Sequence, residues 1–232
     1  MLIIGHQGAA GLTRGNTLES FQKAIALNID MVELDVRKTS DGELVVFHDP
    51  AVDGVNLTEL TYQQLNERTN NHGFTVPRLD EVVRQCQGKI KLDVELKESG
   101  YEEEVIERVA KAFSYDDFLL TSFSDASIKA CKEKNPKVKT GLIVGKRYEK
   151  NQLNQLVADL FPTRRLLDAN ADVICVNYRL LRASFLRRMK RIGVGVYVWT
   201  VDDKRRMMQI ANRQVDGLIT DYPDRACELF GC

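Results

Sequence analysis

No apolar stretch in this chain approaches 20 residues, no charge of either sign is in excess, and no two cysteines are spaced as a CxxC pair. Each absence closes off a class of protein. Without a long apolar run nothing in the sequence reads as a membrane span. Met1 opens directly into strand-like sequence, with no basic segment and apolar core of a secretion signal, so a soluble protein is expected. Lys plus Arg (33) balances Asp plus Glu (33). That balance argues against a broad nucleic-acid-binding face and against a polybasic membrane anchor. Cys86, Cys131, Cys175, Cys227 and Cys232 are odd in number. They suggest neither a zinc site nor a disulfide framework, and reduced thiols in the cytoplasm are the expectation.

What is present is an alternation of short apolar runs and amphipathic segments in 232 residues, 44% of them hydrophobic. Eight runs read as strands buried on both faces: Leu2 to Gly5, Met31 to Val36, Ile90 to Leu96, Phe118 to Phe123, Thr140 to Val144, Val173 to Tyr178, Gly195 to Val201 and Gly217 to Thr220. Asn16-Thr17-Leu18-Glu19 resembles a helix start with a capping-box Glu. Further helices are predicted near Tyr101 to Phe113, Asp125 to Lys134, Lys150 to Asn170, Leu181 to Ile192, Asp202 to Asn212 and Asp224 to Phe230. Thr39-Ser40-Asp41-Gly42 is a turn signal, after which Glu43 to His48 is expected to run back antiparallel. Helical stretches near Thr58 to Glu67 and Leu79 to Cys86 then fill a long second connection. The pattern fits an α/β fold of the (β/α)8 TIM-barrel type, with a small insertion after the second strand at about residues 50–88. A doubly wound open sheet competes, because periodicity does not show closure. With no linker or low-complexity tract, residues 1–232 read as one domain.

The informative polar residues lie on or just after these runs: His6, Glu33, Asp35, His48 and Glu95. Ionisable groups in strand-like sequence are costly unless partnered. Residues two apart on a strand share a face, so Glu33 points with Asp35, and Asp93, Glu95 and Lys97 point together. If they crowd the barrel mouth they repel one another unless a cation intervenes. Oxygen ligands from Glu33, Asp35 and Glu95 suit Mg2+ or Ca2+, and zinc lacks a His or Cys cluster. His6 and His48 could then accept and donate protons at a scissile P–O bond, with Lys97 as a further positive contact. Taken singly, each acid is better explained by a salt bridge to Arg37, Lys91 or Lys97; two of the three histidines and three acids at equivalent strand ends point jointly to a site. Trp199 reads equally well as core or as a wall of the pocket. The basic run Arg187-Arg188-Met189-Lys190-Arg191 reads as a solvated helix face.

A series of short motifs occurs in one order along the chain. It begins with His6-Gln7-Gly8 with Asn16-Thr17, Val32-Glu33-Leu34-Asp35-Val36, and Asp41-Gly42 with Val45-Val46-Phe47-His48-Asp49. It continues with Val76-Pro77-Arg78-Leu79-Asp80-Glu81-Val82, Glu95-Leu96-Lys97 and Thr121-Ser122-Phe123. Near the C-terminus come Val198-Trp199-Thr200-Val201-Asp202 and Val215 to Pro223. Together they resemble the glycerophosphodiester phosphodiesterase family across essentially the whole length. The resemblance implies a barrel enzyme that hydrolyses glycerophosphodiesters, such as glycerophosphocholine, to sn-glycerol 3-phosphate and an alcohol. It further implies a divalent cation on Glu33, Asp35 and Glu95, catalytic histidines at His6 and His48, and Lys97 at the phosphate. Two departures stand out. The family has His-Arg-Gly where this chain has Gln7, and Pro-Glu-Asn-Thr where it has Arg14-Gly15-Asn16-Thr17. Gln7 at the phosphate offers a hydrogen bond without charge, a loss of roughly 1.5–3 kcal/mol that Arg14 is placed to offset. The competing readings are a phospholipase D-like enzyme acting on lysophospholipids and a weakened phosphodiester-binding homologue.

Overall fold

Apolar runs buried on both faces need helices outside and a filled interior, and a closed barrel provides both. The computed structural model describes residues 1–145 and 153–232. Its strands are β1 (Leu2–Gly5), β2 (Met31–Lys38), β3 (Leu44–Val46), β4 (Ala51–Val52), β5 (Val55–Asn56), β6 (Lys91–Leu96), β7 (Phe118–Ser122), β8 (Lys139–Val144), β9 (Val173–Asn177), β10 (Gly195–Trp199) and β11 (Gly217–Thr220). The helices are α1 (Leu18–Ala26), α2 (Tyr62–Asn71), α3 (Leu79–Cys86), α4 (Glu102–Ala110), α5 (Asp125–Lys134), α6 (Leu153–Leu160), α7 (Thr163–Ala169), α8 (Ala183–Arg191), α9 (Lys204–Ala211) and α10 (Pro223–Phe230). Eight strands are parallel and close, because β1 pairs with both β11 and β2. Closure removes the open-sheet alternative. β3 runs antiparallel to the far end of β2, Val36 opposite Val46, as the turn signal at residues 39–42 predicts.

The side chains sort by strand alternation. Ile4, Met31, Leu119, Ile143, Val173, Cys175 and Ile219 fill the barrel interior. The opposite faces, including Val32, Leu34, Val94 and Leu120, pack on the helices in the main core. A third cluster, with Val45, Phe47, Leu57, Leu65 and Val76, carries the connection between β3 and α3. None of the helices among the described residues is long and apolar enough to cross a membrane.

Three expectations are corrected. The helix expected over Lys150 to Asn170 is two helices, α6 and α7, meeting at Phe161-Pro162, and its first residues lie outside those described. Pro162 brings no N–H and its ring clashes with the preceding turn, so it ends one helix and begins the next. The cap of α1 is Thr17, whose hydroxyl accepts from the Ser20 N–H, so Glu19 is no capping-box residue and pairs instead with Lys23. Cys227 and Cys232 form a disulfide at the end of α10, against the expectation of five reduced thiols. Gly231 between them takes a positive φ of 79°, which lets the chain fold back over five residues. Cys86, Cys131 and Cys175 are free and buried.

Candidate active site

β2 and β6 lie side by side in register, Glu33 opposite Asp93 and Asp35 opposite Glu95. All four carboxylates are buried, with Asp35 and Glu95 one step nearer than Glu33 and Asp93 to the C-terminal ends of these strands, where TIM barrels carry chemistry. One oxygen each from Glu33, Asp35 and Glu95 lies within 4.8 Å of the others, so these three could hold a metal ion. Lys97, just past β6, places its ammonium 2.7 Å from Asp35 Oδ1 and 2.6 Å from Glu95 Oε1. Of the three cations that might have balanced the acids, Lys97 is the one that does. Lys97 meets Asp35 Oδ1 as an ion pair, and no amide or hydroxyl donates to that buried oxygen. An all-oxygen donor set and four buried acids against one ammonium and one imidazole fit a hard divalent cation.

Burial and mutual repulsion are visible in the acidities. Burial, then Asp35, pushes Glu33 well above the usual carboxylate range. Burial pushes Asp93 up to about 7, although the Thr121 hydroxyl donates to it at 2.7 Å. Glu95 is also raised, burial outweighing the Lys97 ammonium. Burial acts on Asp35 too, but Lys97, His6 and the Asn16 amide together hold it below its ordinary value. Lys97 is raised because Asp35 and Glu95 outweigh its own burial.

The two histidines come from the segments after β1 and β3, the two strands that flank β2 on this side of the mouth. His6 follows β1, where its N–H donates to Thr220 O at 2.8 Å. Its Nδ1 meets Asp221 at 2.6 Å, which turns Nε2 toward Glu33 at 3.9 Å. Burial alone would lower its pKa; Glu33 and Asp221 instead raise it to about 9. His48 lies on the segment after β3. There Phe47 N donates to Asp35 O and Arg37 Nε donates to His48 O, both at 2.9 Å. Its Nδ1 meets Asp49 at 2.7 Å. Both histidines border one cavity of about 430 Å3 with Glu33, Asp93, Glu95 and Lys97. Its apolar wall includes Phe123, Ile143 and Trp199. Trp199 is fixed as part of that wall, its indole N–H donating to Cys175 O at 2.9 Å and its ring meeting Phe123 edge-on.

Gln7 and Gly15, the two departures, are in contact. Gln7 sits in the left-handed region at φ 49°, uncommon for a residue with a side chain and often a mark of a functional site. Its N–H donates to Glu33 Oε2 and its side-chain amide to Asp35 Oδ2, each at 2.9 Å. The other end of that amide fills the space beside Gly15, where a methyl group would stand 2.5 Å from Gln7 Oε1. Asn16, also left-handed, adds a second donor to Asp35 Oδ2 at 2.7 Å. Arg14 stacks its guanidinium 3.4 Å from the centre of the Phe74 ring, in a smaller cleft that also borders Gln7 and His48.

The structure thus brings His6, Gln7, Glu33, Asp35, His48, Glu95, Lys97 and Trp199 to one mouth, with Arg14 at its edge. Sequence reasoning assigned no role to Asp93, Asp221, Asp49 or Asn16. Strand alternation had already put Asp93 on the face of Glu95; Asp221 shares with the other site residues only its place just past a strand end.

The model of the glycerophosphoryl diester phosphodiesterase family matches residues 6–225. The Bacillus subtilis protein YhdW is 29% identical over 97% of this chain and 96% of its own. The glycerophosphodiester phosphodiesterase of Caldanaerobacter subterraneus is 28% identical over 98% of this chain and 97% of its own. Among solved structures, an Oleispira antarctica phosphodiesterase in complex with the product sn-glycerol-3-phosphate superposes with a TM-score of 0.81. It is 22% identical and covers 99% of this chain and 96% of its own.

Proposed function

Because the chain belongs to the glycerophosphoryl diester phosphodiesterase family, we propose that it hydrolyses glycerophosphodiesters such as glycerophosphocholine and glycerophosphoethanolamine. The products are sn-glycerol 3-phosphate and the free alcohol. The observation that carries this reading is the joint geometry of the Glu33–Asp35–Glu95 cluster and the two histidines on one cavity. Residues 1–232 are proposed to work as one catalytic domain, with about residues 50–88 as its insertion.

Glu33, Asp35 and Glu95 would hold Mg2+ or Ca2+, which when bound supplies positive charge to the phosphate oxygens. Lys97 would add its ammonium to the same developing charge. His6, anchored through Nδ1 by Asp221 and held charged by Glu33, is proposed as the proton donor to the leaving alcohol oxygen. His48 is proposed to take the proton from the attacking oxygen as the new P–O bond forms and the old one breaks. The Gln7 amide, committed to Asp35, would orient that ligand. Arg14 is proposed as the guanidinium that meets phosphate in place of the family's Arg. An Arg14→Ala variant with unchanged KM and kcat would remove it from that role. The cytoplasm remains the proposed compartment on the strength of three buried free thiols, with the Cys227–Cys232 bond the feature against it.

The test is glycerol 3-phosphate release by metal-stripped protein, with Mg2+ or Ca2+ returned and lysophosphatidylcholine run beside the two glycerophosphodiesters. Turnover restored by metal and lowered about 10²–10⁴-fold in His6→Ala and His48→Ala is expected. Folded protein that binds the cation yet turns over neither glycerophosphodiester would sink the proposal. Preference for lysophosphatidylcholine would transfer the site to lysophospholipids.

A further inference from the structure

The net neutrality of the chain conceals a strong local asymmetry. Residues 179–213 contain ten Lys and Arg and only two acids, Asp202 and Asp203. Elsewhere on the barrel, surface cations are commonly paired, as in Lys38–Glu104, Lys134–Glu103 and Lys139–Asp116. On α8 and just after α9 that pattern stops. Arg182, Arg187, Lys190 and Arg213 make no ion pair among the described residues.

These four cations rim a cleft of about 920 Å3, more than twice the volume of the catalytic cavity. Its floor is apolar and includes Leu186 and Val194. Arg213 is held across one side by a hydrogen bond from its guanidinium to Leu181 O at 2.7 Å. Gly195, which begins β10, and Asp216, just before β11, also line it, which places the cleft at the N-terminal end of the barrel. Trp199 and Ile219, farther along the same strands, line the catalytic mouth. At about 3.3 Å per residue, the length of β10 puts about 13 Å of filled barrel between the two sites.

The size falls in the range of small-molecule sites, and an apolar floor beneath a ring of unpaired cations suits a ligand of mixed character. Asp216 is the one acid in the lining, and its Oδ2 is already engaged by the Val196 N–H at 2.8 Å. Guanidinium groups favour phosphate through paired N–H donors. We propose that this cleft is a second binding site, for a soluble phosphate ester with an apolar or aromatic body, of which a nucleoside diphosphate is the representative. The position of the cleft makes the site independent of the catalytic carboxylates and histidines.

The experiment is calorimetric titration of the metal-loaded enzyme with ADP, in parallel with inorganic pyrophosphate and with sedimentation on phosphatidylglycerol vesicles. Saturable one-site binding of ADP is expected, tighter than pyrophosphate and weakened by added salt. Arg187→Glu with Lys190→Glu should weaken it at least about tenfold through like-charge repulsion, at unchanged kcat for the proposed glycerophosphodiester reaction. His48→Ala should leave ADP affinity as it is. The proposal is overturned if ADP does not bind, if the charge reversal leaves its affinity intact, or if His48→Ala abolishes it. Pyrophosphate binding as tightly as ADP would overturn the apolar body. Vesicle binding without ADP binding would assign the patch to an anionic membrane and overturn the soluble ligand. Because the readout is binding and the altered residues lie outside the mouth, failure here and failure of the phosphodiesterase reading are separable.

Discussion

Asp35 carries more contacts than any other proposed metal ligand: Gln7 and Asn16 on one oxygen and Lys97 on the other. Its placement depends on a residue that never touches it. Gly15 leaves room for the Gln7 amide, and without that room the amide is displaced from Asp35 Oδ2. Gly15→Ala is therefore expected to lower divalent-cation affinity about tenfold, the low end for loss of an outer-shell partner. The effect should largely vanish in a Gln7→Ala background, where the amide is gone and only the β-carbons of residues 7 and 10 remain beside the added methyl group. Calorimetric titration of all four proteins with the restoring cation checks this, and a Gly15→Ala loss that persists without Gln7 would refute the coupling. Both departures were visible in the sequence as separate substitutions. Their contact was not, since seven residues separate them within the β1–α1 connection and only the fold turns that segment back on itself.

At the scale of elements, strands carrying carboxylates were legible because period-two alternation fixes which residues share a face. Glu33, Asp35, Asp93 and Glu95 follow from that rule alone. Loop residues do not obey it, and His48 shows the consequence. Its place at the end of an apolar run was legible, but its position over the site depends on long-range bonds invisible in sequence. The segment that carries it is tied down by Phe47 N to Asp35 O and by Arg37 Nε to His48 O. Arg37 is itself held by an ion pair with Glu98. Arg37→Ala should release the segment and lower kcat by about 10–100-fold, since small displacements of a catalytic group have effects of that size. Cation affinity should not fall, because the Arg37 side chain contacts none of the three proposed ligands and only adds positive charge near Asp35 and Glu95. Arg37→Lys should rescue little, as one ammonium cannot serve both His48 O and Glu98 with a fork's geometry. A kcat within twofold of the parent enzyme would show that the segment is held by its backbone bonds alone. Helix interiors were legible too, whereas the break at Pro162 was misjudged because the apolar period continues across it.

Closure of the barrel was the global property that periodicity could not supply, and it creates the most unfavourable electrostatic feature of the molecule. It turns the shared face of β2 and β6 inward, so that all four carboxylates are buried beneath the mouth. Without metal, these groups make folding depend on pH in a definite direction. Asp93 has its pKa raised to about 7 in the fold, so between its unfolded value near 3.8 and about 7 the native state binds the extra proton. Stability therefore falls as pH rises through that window. His6, raised to about 9 by Glu33 and Asp221 against its own burial, adds stability that is full below about 6.5 and lost toward 9. Both act with the same sign, while the lowered Asp35 titrates below this range. The metal-free protein is thus expected to lose Tm steadily from pH 5.5 to 9. Asp93→Asn, which keeps an oxygen for the Thr121 hydroxyl, should raise the metal-free stability most at pH 8, by on the order of 4 kcal/mol at most, and progressively less toward pH 5, with Tm rising in the same order. Returning the divalent cation should flatten the profile, because it binds the ionised carboxylates and stabilises most where they are charged. Calorimetric melts across this pH range, with and without cation, read all three effects. A metal-free Tm that climbs with pH would mean that the acids are ionised and satisfied by Lys97 alone, and the case for a metal at Glu33, Asp35 and Glu95 would lose its physical basis.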